Sequence, residues 1–204
     1  MYSQNEEEKI IADYFTGLGT YLDIGANDGV TFSNTHALYI NGWRGVNVEA
    51  SPKAYERLVI NRPDDVNIHA AAGPVNGRIV LNQSGSLINC NDVALVSSTK
   101  VEESSRWPGV EFEPVEVEMM DIPTIISRSG IKKIDLLSID IEGMELEVLT
   151  FIPLIDLGIR MAIIEWNGKH RAEFDRIMKG YRVLSYNAEN LIYIKRNTGS
   201  MLSI

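Results

Sequence analysis

The chain has 204 residues, 45% of them hydrophobic and 23% charged, which suits one globular domain with a real core. Its formal net charge of -9 disfavours nonspecific attraction to nucleic acid or to an anionic membrane. A lone cysteine, Cys90, excludes an intramolecular disulfide and favours a reducing compartment; it sits in a polar stretch without a neighbouring His or C-x-x-C and reads as incidental. The N-terminus is acidic and polar, unlike a signal peptide, and no apolar run approaches a membrane span, so a cytoplasmic location is expected.

Residues 4–14 read as a helix, capped by Asn5, with Ile10, Ile11, Tyr14 and Phe15 as its apolar stripe; it dominates an N-terminal segment 1–19. A first strand spans 20–23. A helix over 33–39 is stopped by Asn41-Gly42, and a second strand covers 45–49. Ser51-Pro52 opens the next helix, whose inner face is Ala54, Tyr55, Leu58 and Val59; a third strand follows at 66–70. Residues 74–118 are rich in Gly, Ser, Asn and charge, and are expected to form a hairpin plus a mobile loop, 84–107, that shapes a substrate pocket.

Regular alternation then resumes. A helix over 122–128 is capped by Asp121, a strongly apolar strand covers 134–140, and a helix starts at Met144. A strand at 160–166 and a helix at 172–178 precede two closing strands, 181–187 and 191–195, joined by a short turn. The pattern predicts one α/β domain over 1–204: a mostly parallel, doubly wound sheet of seven strands with an antiparallel edge hairpin and helices on both faces. That is the Rossmann-like architecture of class I methyltransferases.

In such sheets ligands bind beyond the carboxyl ends of the strands. Strand one ends in Asp23 and runs into Gly25-Ala26-Asn27-Asp28-Gly29; strand two ends in Glu49, roughly 20 residues beyond the turn, where a carboxylate can accept both hydroxyls of a ribose. The turn lacks the middle glycine of G-x-G-x-x-G, which lets a pyrophosphate approach, and it lacks the Lys-Ser/Thr of a P-loop. A cofactor with ribose and adenine but no phosphate fits better, and S-adenosylmethionine (SAM) is that cofactor. Its positive charge is compatible with acidic strand ends.

Asp23-Ile24-Gly25-Ala26-Asn27-Asp28-Gly29, Val48-Glu49-Ala50-Ser51-Pro52, Ala70-Ala71-Ala72-Gly73, Met120-Asp121-Ile122-Pro123-Thr124 and the segment Asp140-Ile141-Glu142-Gly143-Met144-Glu145 together resemble the FkbM family of SAM-dependent methyltransferases, in the expected order. The resemblance implies methyl transfer, usually to an oxygen of a sugar, polyketide or other small molecule. Carried over by position, Gly25, Ala26, Asn27 and Gly29 line the methionine part of SAM, with Asp23 beside them. Glu49 holds the ribose, and Ala70 and Ala71 flank the adenine. Many family members have Lys where this chain has Ser138, which leaves a catalytic role there open.

For a hydroxyl acceptor the enzyme must supply positioning and a base. Asp140 and Glu142, two apart on a segment read as extended, can point the same way, one as base and the other orienting the acceptor. Asp140, Glu142, Glu165 and Asn167 are oxygen ligands suited to Mg or Ca, yet no tight array is evident from sequence and no metal is assigned. His36, His69 and His170 are scattered and read first as structural residues; Trp107 and Trp166 could stack on a sugar face. Two rival readings stand beside a methyltransferase acting on a small molecule or glycan: a SAM-binding protein without turnover, and a nucleotide-dependent oxidoreductase. Neither nucleic acid nor membrane is expected as a partner.

Overall fold

Three runs of apolar residues, at β1 (Thr20–Ile24), β7 (Leu136–Ile139) and β8 (Met161–Glu165), form the centre of the sheet, and almost every residue in them is buried. Burial on both faces is what a parallel sheet covered by helices requires. The computed structural model describes residues 2–84, 97–100 and 110–196. The other strands of this sheet are β2 (Arg44–Glu49), β3 (Val66–His69), β9 (Tyr181–Tyr186) and β10 (Asn190–Lys195). The order of the seven-stranded sheet is β3-β2-β1-β7-β8-β10-β9. β10 runs antiparallel to both β8 and β9, while the other neighbours are parallel. The sheet is therefore the class I methyltransferase arrangement expected from the sequence.

Side-chain alternation sorts each central strand between two apolar layers. Leu22, Ile24, Leu137, Ile139, Ala162 and Ile164 enter the larger core with α4 (Ile122–Ser129) and α5 (Glu145–Thr150). Tyr21, Leu136, Met161 and Ile163 face the other way, onto Ile11 and Phe15 of the α1 (Glu7–Tyr14) region and Trp43. α2 (His36–Ile40), α3 (Pro52–Asn61) and α6 (Arg171–Ile177) complete the helices among the described residues. None of these helices is long and apolar enough to cross a membrane.

The structure corrects several local expectations. α1 starts at Glu7 rather than residue 4, and Asn5 does not cap it: the Asn5 amide donates to Glu7 Oε2 (2.8 Å) and its side chain to Glu189 (2.6 Å). α2 starts at His36, because the Ser33 hydroxyl accepts from the Thr35 and His36 amides and holds the chain in a turn before it. Val59 is exposed, since α3 turns only Ala54 and Leu58 fully inward. The third strand ends at His69, and Ala71–Gly73 form a separate strand, β4, in a second sheet of order β4-β6-β5, with β5 (Gly77–Ser84) antiparallel and β4 parallel to β6 (Phe112–Asp121). The Asp121 cap forms as expected, accepting from the Thr124 amide, and Ser51 caps the helix that Ser51-Pro52 opens by accepting from the Ala54 amide. Of the substrate loop predicted at 84–107, only Ser84 and residues 97–100 are described, and Ser97 and Thr99 line the cavity; Cys90 and Trp107 lie outside the described residues.

Candidate functional site

Strand order reverses between β1 and β7, and at such a switch point the loops beyond the two strand ends separate to leave a crevice. A cavity of about 440 Å³ opens there. Its walls include the turn after β1, the ends of β2 and β7, Ala70 to Ala72, and the ends of β8 and β10. Asp23, Gly25, Ala26, Asn27, Glu49, Ala70, Ala71, Asp140 and Glu142 all line it. Gly29 does not. A Cβ there would lie 2.7 Å from Leu58 and Arg62, so this glycine serves the packing of α3 under the turn.

Gly25 is demanded by close approach. Its φ is +86°, and a Cβ would stand 1.7 Å from the Asp140 carbonyl oxygen. The Gly25 and Ala26 amides donate to the Val48 carbonyl (2.9 and 3.2 Å), and the Asp140 amide donates to the Ile24 carbonyl (2.9 Å), which ties the turn to both neighbouring strands. Asn27 follows at φ +51°, with its amide donating to Glu49 Oε2 (2.7 Å). The other Glu49 oxygen accepts from the Ser51 amide (2.7 Å). Burial pushes the Glu49 carboxyl up to about 7, against the pull of these amides. The Asn27 side-chain oxygen and nitrogen are both buried, with no hydrogen-bond partner among the described residues.

Asp23 lies deeper. Thr35 donates to it at 2.7 Å, and Thr35 in turn accepts from Arg62 at 2.6 Å. Burial holds the Asp23 carboxyl above the usual range, partly offset by Thr35 and Arg62. Arg62, fully buried, also bonds Asp65, Tyr21 and the Gly29 carbonyl. Sequence reasoning missed this network, for an isolated arginine after a helix carries no pattern that marks it as buried.

The opposite wall is acidic. Asp140 opens to the cavity and Glu142 is half-buried, while Glu165 is only 7% exposed. One oxygen from each of these three carboxylates lies within 4.8 Å of the others. Asp140 and Glu142 do converge, though not by strand alternation: Glu142 has φ +53° and Gly143 φ +113°, and Glu145 folds the turn by accepting from the Ile141 and Gly143 amides at 3.0 Å. Asp140 is pushed above the ordinary carboxylate range by its low-dielectric surroundings and by the charges of Glu142 and Glu145. Glu165 is raised to about 10 by burial and then by Asp140 and Glu145. The compact array that sequence could not reveal is therefore present, and Glu165 belongs with the two predicted carboxylates.

None of the three histidines lines the cavity. His36 is buried against Arg62 (3.2 Å), His69 stacks on Tyr55 (4.6 Å between rings), and His170 is exposed. Trp166 packs against the larger core and donates to the Asn187 carbonyl (3.0 Å). Two residues unforeseen as neighbours do line the cavity: Gln4, held by Glu189 (3.0 Å), and Asn34, which donates to Ser138 (3.3 Å).

Residues 23–188 match the family model of the Methyltransferase FkbM domain. Among solved structures the chain is similar to a TehB-like SAM-dependent methyltransferase from Corynebacterium glutamicum, with a TM-score of 0.50 and 12% identity over 93% of this chain and 87% of that one. It is likewise similar to the METTL16 MTase domain, with a TM-score of 0.50 and 12% identity over 93% of this chain and 64% of that one. No curated protein matches it in sequence.

Proposed function

The chain belongs to the FkbM methyltransferase family, and from that premise we propose that it methylates a hydroxyl oxygen on a sugar, a glycan or another small molecule. SAM is its cofactor, and when bound it supplies a methyl group already activated on a sulfonium centre. The residues present suit it. Asn27 offers a buried donor and acceptor that nothing in the described chain satisfies, and an unmet buried amide is costly unless a ligand meets it. Gly25 leaves the turn bare beside Asp140. Each Glu49 oxygen, already accepting one amide, keeps a lone pair for a ribose hydroxyl. Ala70 and Ala71 leave a flat, apolar wall suited to adenine.

One observation carries the choice of oxygen as acceptor: the carboxylates gathered at the ends of β7 and β8. A hydroxyl is a weak nucleophile until its proton is drawn off, and a carboxylate with raised proton affinity draws it better than an ordinary one. Asp140 is the base in this reading, and Glu142 orients the acceptor. The acidic balance of the chain favours a small or glycan acceptor over nucleic acid.

The test is S-adenosylhomocysteine release with a panel of hydroxyl-bearing acceptors and matched amines. Turnover with a hydroxyl acceptor, falling roughly 10²- to 10⁴-fold in Asp140→Asn, is the outcome expected for a lost general base. Turnover with amines alone, or an Asp140→Asn variant as fast as the parent, contradicts the proposal.

A further inference from the structure

The geometry points to a second ligand in the same cavity: we propose that Asp140, Glu142 and Glu165 bind a hard divalent cation, Ca²⁺ or Mg²⁺. The inference deepens the methyltransferase reading and rests on it for the cation's use, though not for its binding.

Two observations carry it. The first is spacing. Oxygens ligating one Ca²⁺ at 2.3–2.6 Å sit at most about 5 Å apart, and Mg²⁺ draws them slightly closer. The three carboxylate oxygens, all within 4.8 Å of one another, need little movement to share such an ion. The second is Glu165 itself. Its side chain is buried, at 7% exposure, and lines the cavity. Asn167 donates to Oε1 at 2.5 Å, but Oε2 is enclosed with no hydrogen-bond partner among the described residues. A buried carboxylate oxygen without a donor is costly, and a cation facing it removes the cost.

Among the described residues Lys100 reaches the same turn, but it bonds the Gly143 carbonyl and Glu147 rather than Glu165. Glu145, itself an acid, accepts from the Ile141 and Gly143 amides and adds to the negative charge beside Asp140 and Glu165. The ligands come from the ends of two adjacent strands and the turn after one of them, and Asp140 keeps the cluster open to the cavity. An acceptor hydroxyl can therefore complete the coordination shell, where the ion positions and acidifies it and the Asp140 oxygen not on the ion takes its proton.

Calorimetric titration of CaCl₂ and, separately, MgCl₂ into protein stripped with EDTA decides the matter, with SAM titrated into the same preparations. One ion bound per chain is expected, weakened about tenfold or more in Glu165→Gln, while SAM still binds that variant and so reports its fold. No binding of either ion at ~10 mM, beyond the range of weak calcium sites, overturns the proposal. So does ion binding that Glu165→Gln and Asp140→Asn leave unchanged. A parent protein that takes up SAM but neither ion loses this inference and keeps the methyltransferase reading; one that takes up an ion but not SAM does the reverse.

Discussion

Gly25 and Glu49 show how single residues shape the cavity proposed to take the cofactor. A Cβ at Gly25 would occupy the place of the Asp140 carbonyl, in a backbone conformation that side chains rarely adopt. Gly25→Ala should therefore cost about 4 kcal/mol or more and abolish SAM binding, as followed by denaturant unfolding and calorimetry. Glu49 makes a pH-dependent prediction. Its carboxyl, raised by burial to about 7, is largely protonated below that pH, yet ribose hydroxyls bind its ionised form best. SAM affinity should fall as pH drops below about 7, by at most about tenfold per unit, with a proton released on binding. In Glu49→Gln the affinity should be weaker and flat over the same range; a parallel pH profile in both proteins would exclude Glu49 as the source. The place of both residues in the cavity wall was legible in the sequence, because a strand end, a glycine turn and a spaced carboxylate form a local pattern. Gly29 matched that pattern equally well and packs on α3 instead, a distinction that depends on Leu58 and Arg62 arriving from another element.

At the scale of elements, α1 is tied to the β9–β10 turn by one buried carboxylate. Glu7 accepts from the Asn5 amide and from the side chains of Asn187 and Asn190, each near 2.9 Å. Glu7→Ala leaves the buried Asn190 side chain and the part-buried Asn187 without their acceptor, and should cost about 1–3 kcal/mol, read as a lower urea midpoint with no change in slope. It should also loosen Gln4, which the same segment places in the cavity wall. Nothing in the sequence marked Glu7 for this role, since contacts 180 or more residues away leave no trace in local pattern. The central strands were legible for the opposite reason: burial on both faces writes a continuous apolar run. The break between β3 and β4 was not, because the alanine run spanning it has no periodicity to divide. The approach of Glu165 to Asp140 and Glu142 follows from β7 lying beside β8, a pairing that sequence implies, but the convergence itself depends on the left-handed turn at Glu142 and Gly143.

For the whole molecule, burying carboxylates beside a cavity makes stability depend on pH. Glu49 and Glu165 titrate near 7 and 10 in the fold, well above their unfolded values, and Asp23 and Asp140 shift the same way. Each contributes stability that is full below its unfolded value, 3.8 for Asp and 4.5 for Glu, and lost as pH rises through its folded value. His36, lowered by burial and Arg62, works the other way: its contribution is full above its ordinary value of about 6.5 and is lost as pH falls through its lower folded value. Freed of SAM and cations, the protein should therefore melt at progressively lower temperature from about pH 6.5 to pH 9, and Glu165→Gln should flatten the decline. A melting temperature that holds or rises across that range in the parent would show that Glu49 and Glu165 are not buried as described. The most direct test of the site is a crystal structure of the chain grown with S-adenosylhomocysteine. The predicted result has ribose hydroxyls on Glu49, the amino-acid end against Gly25 and Asn27, adenine beside Ala70 and Ala71, and sulfur facing Asp140. A ligand held elsewhere, or turned so that its ribose lies away from Glu49, would contradict it.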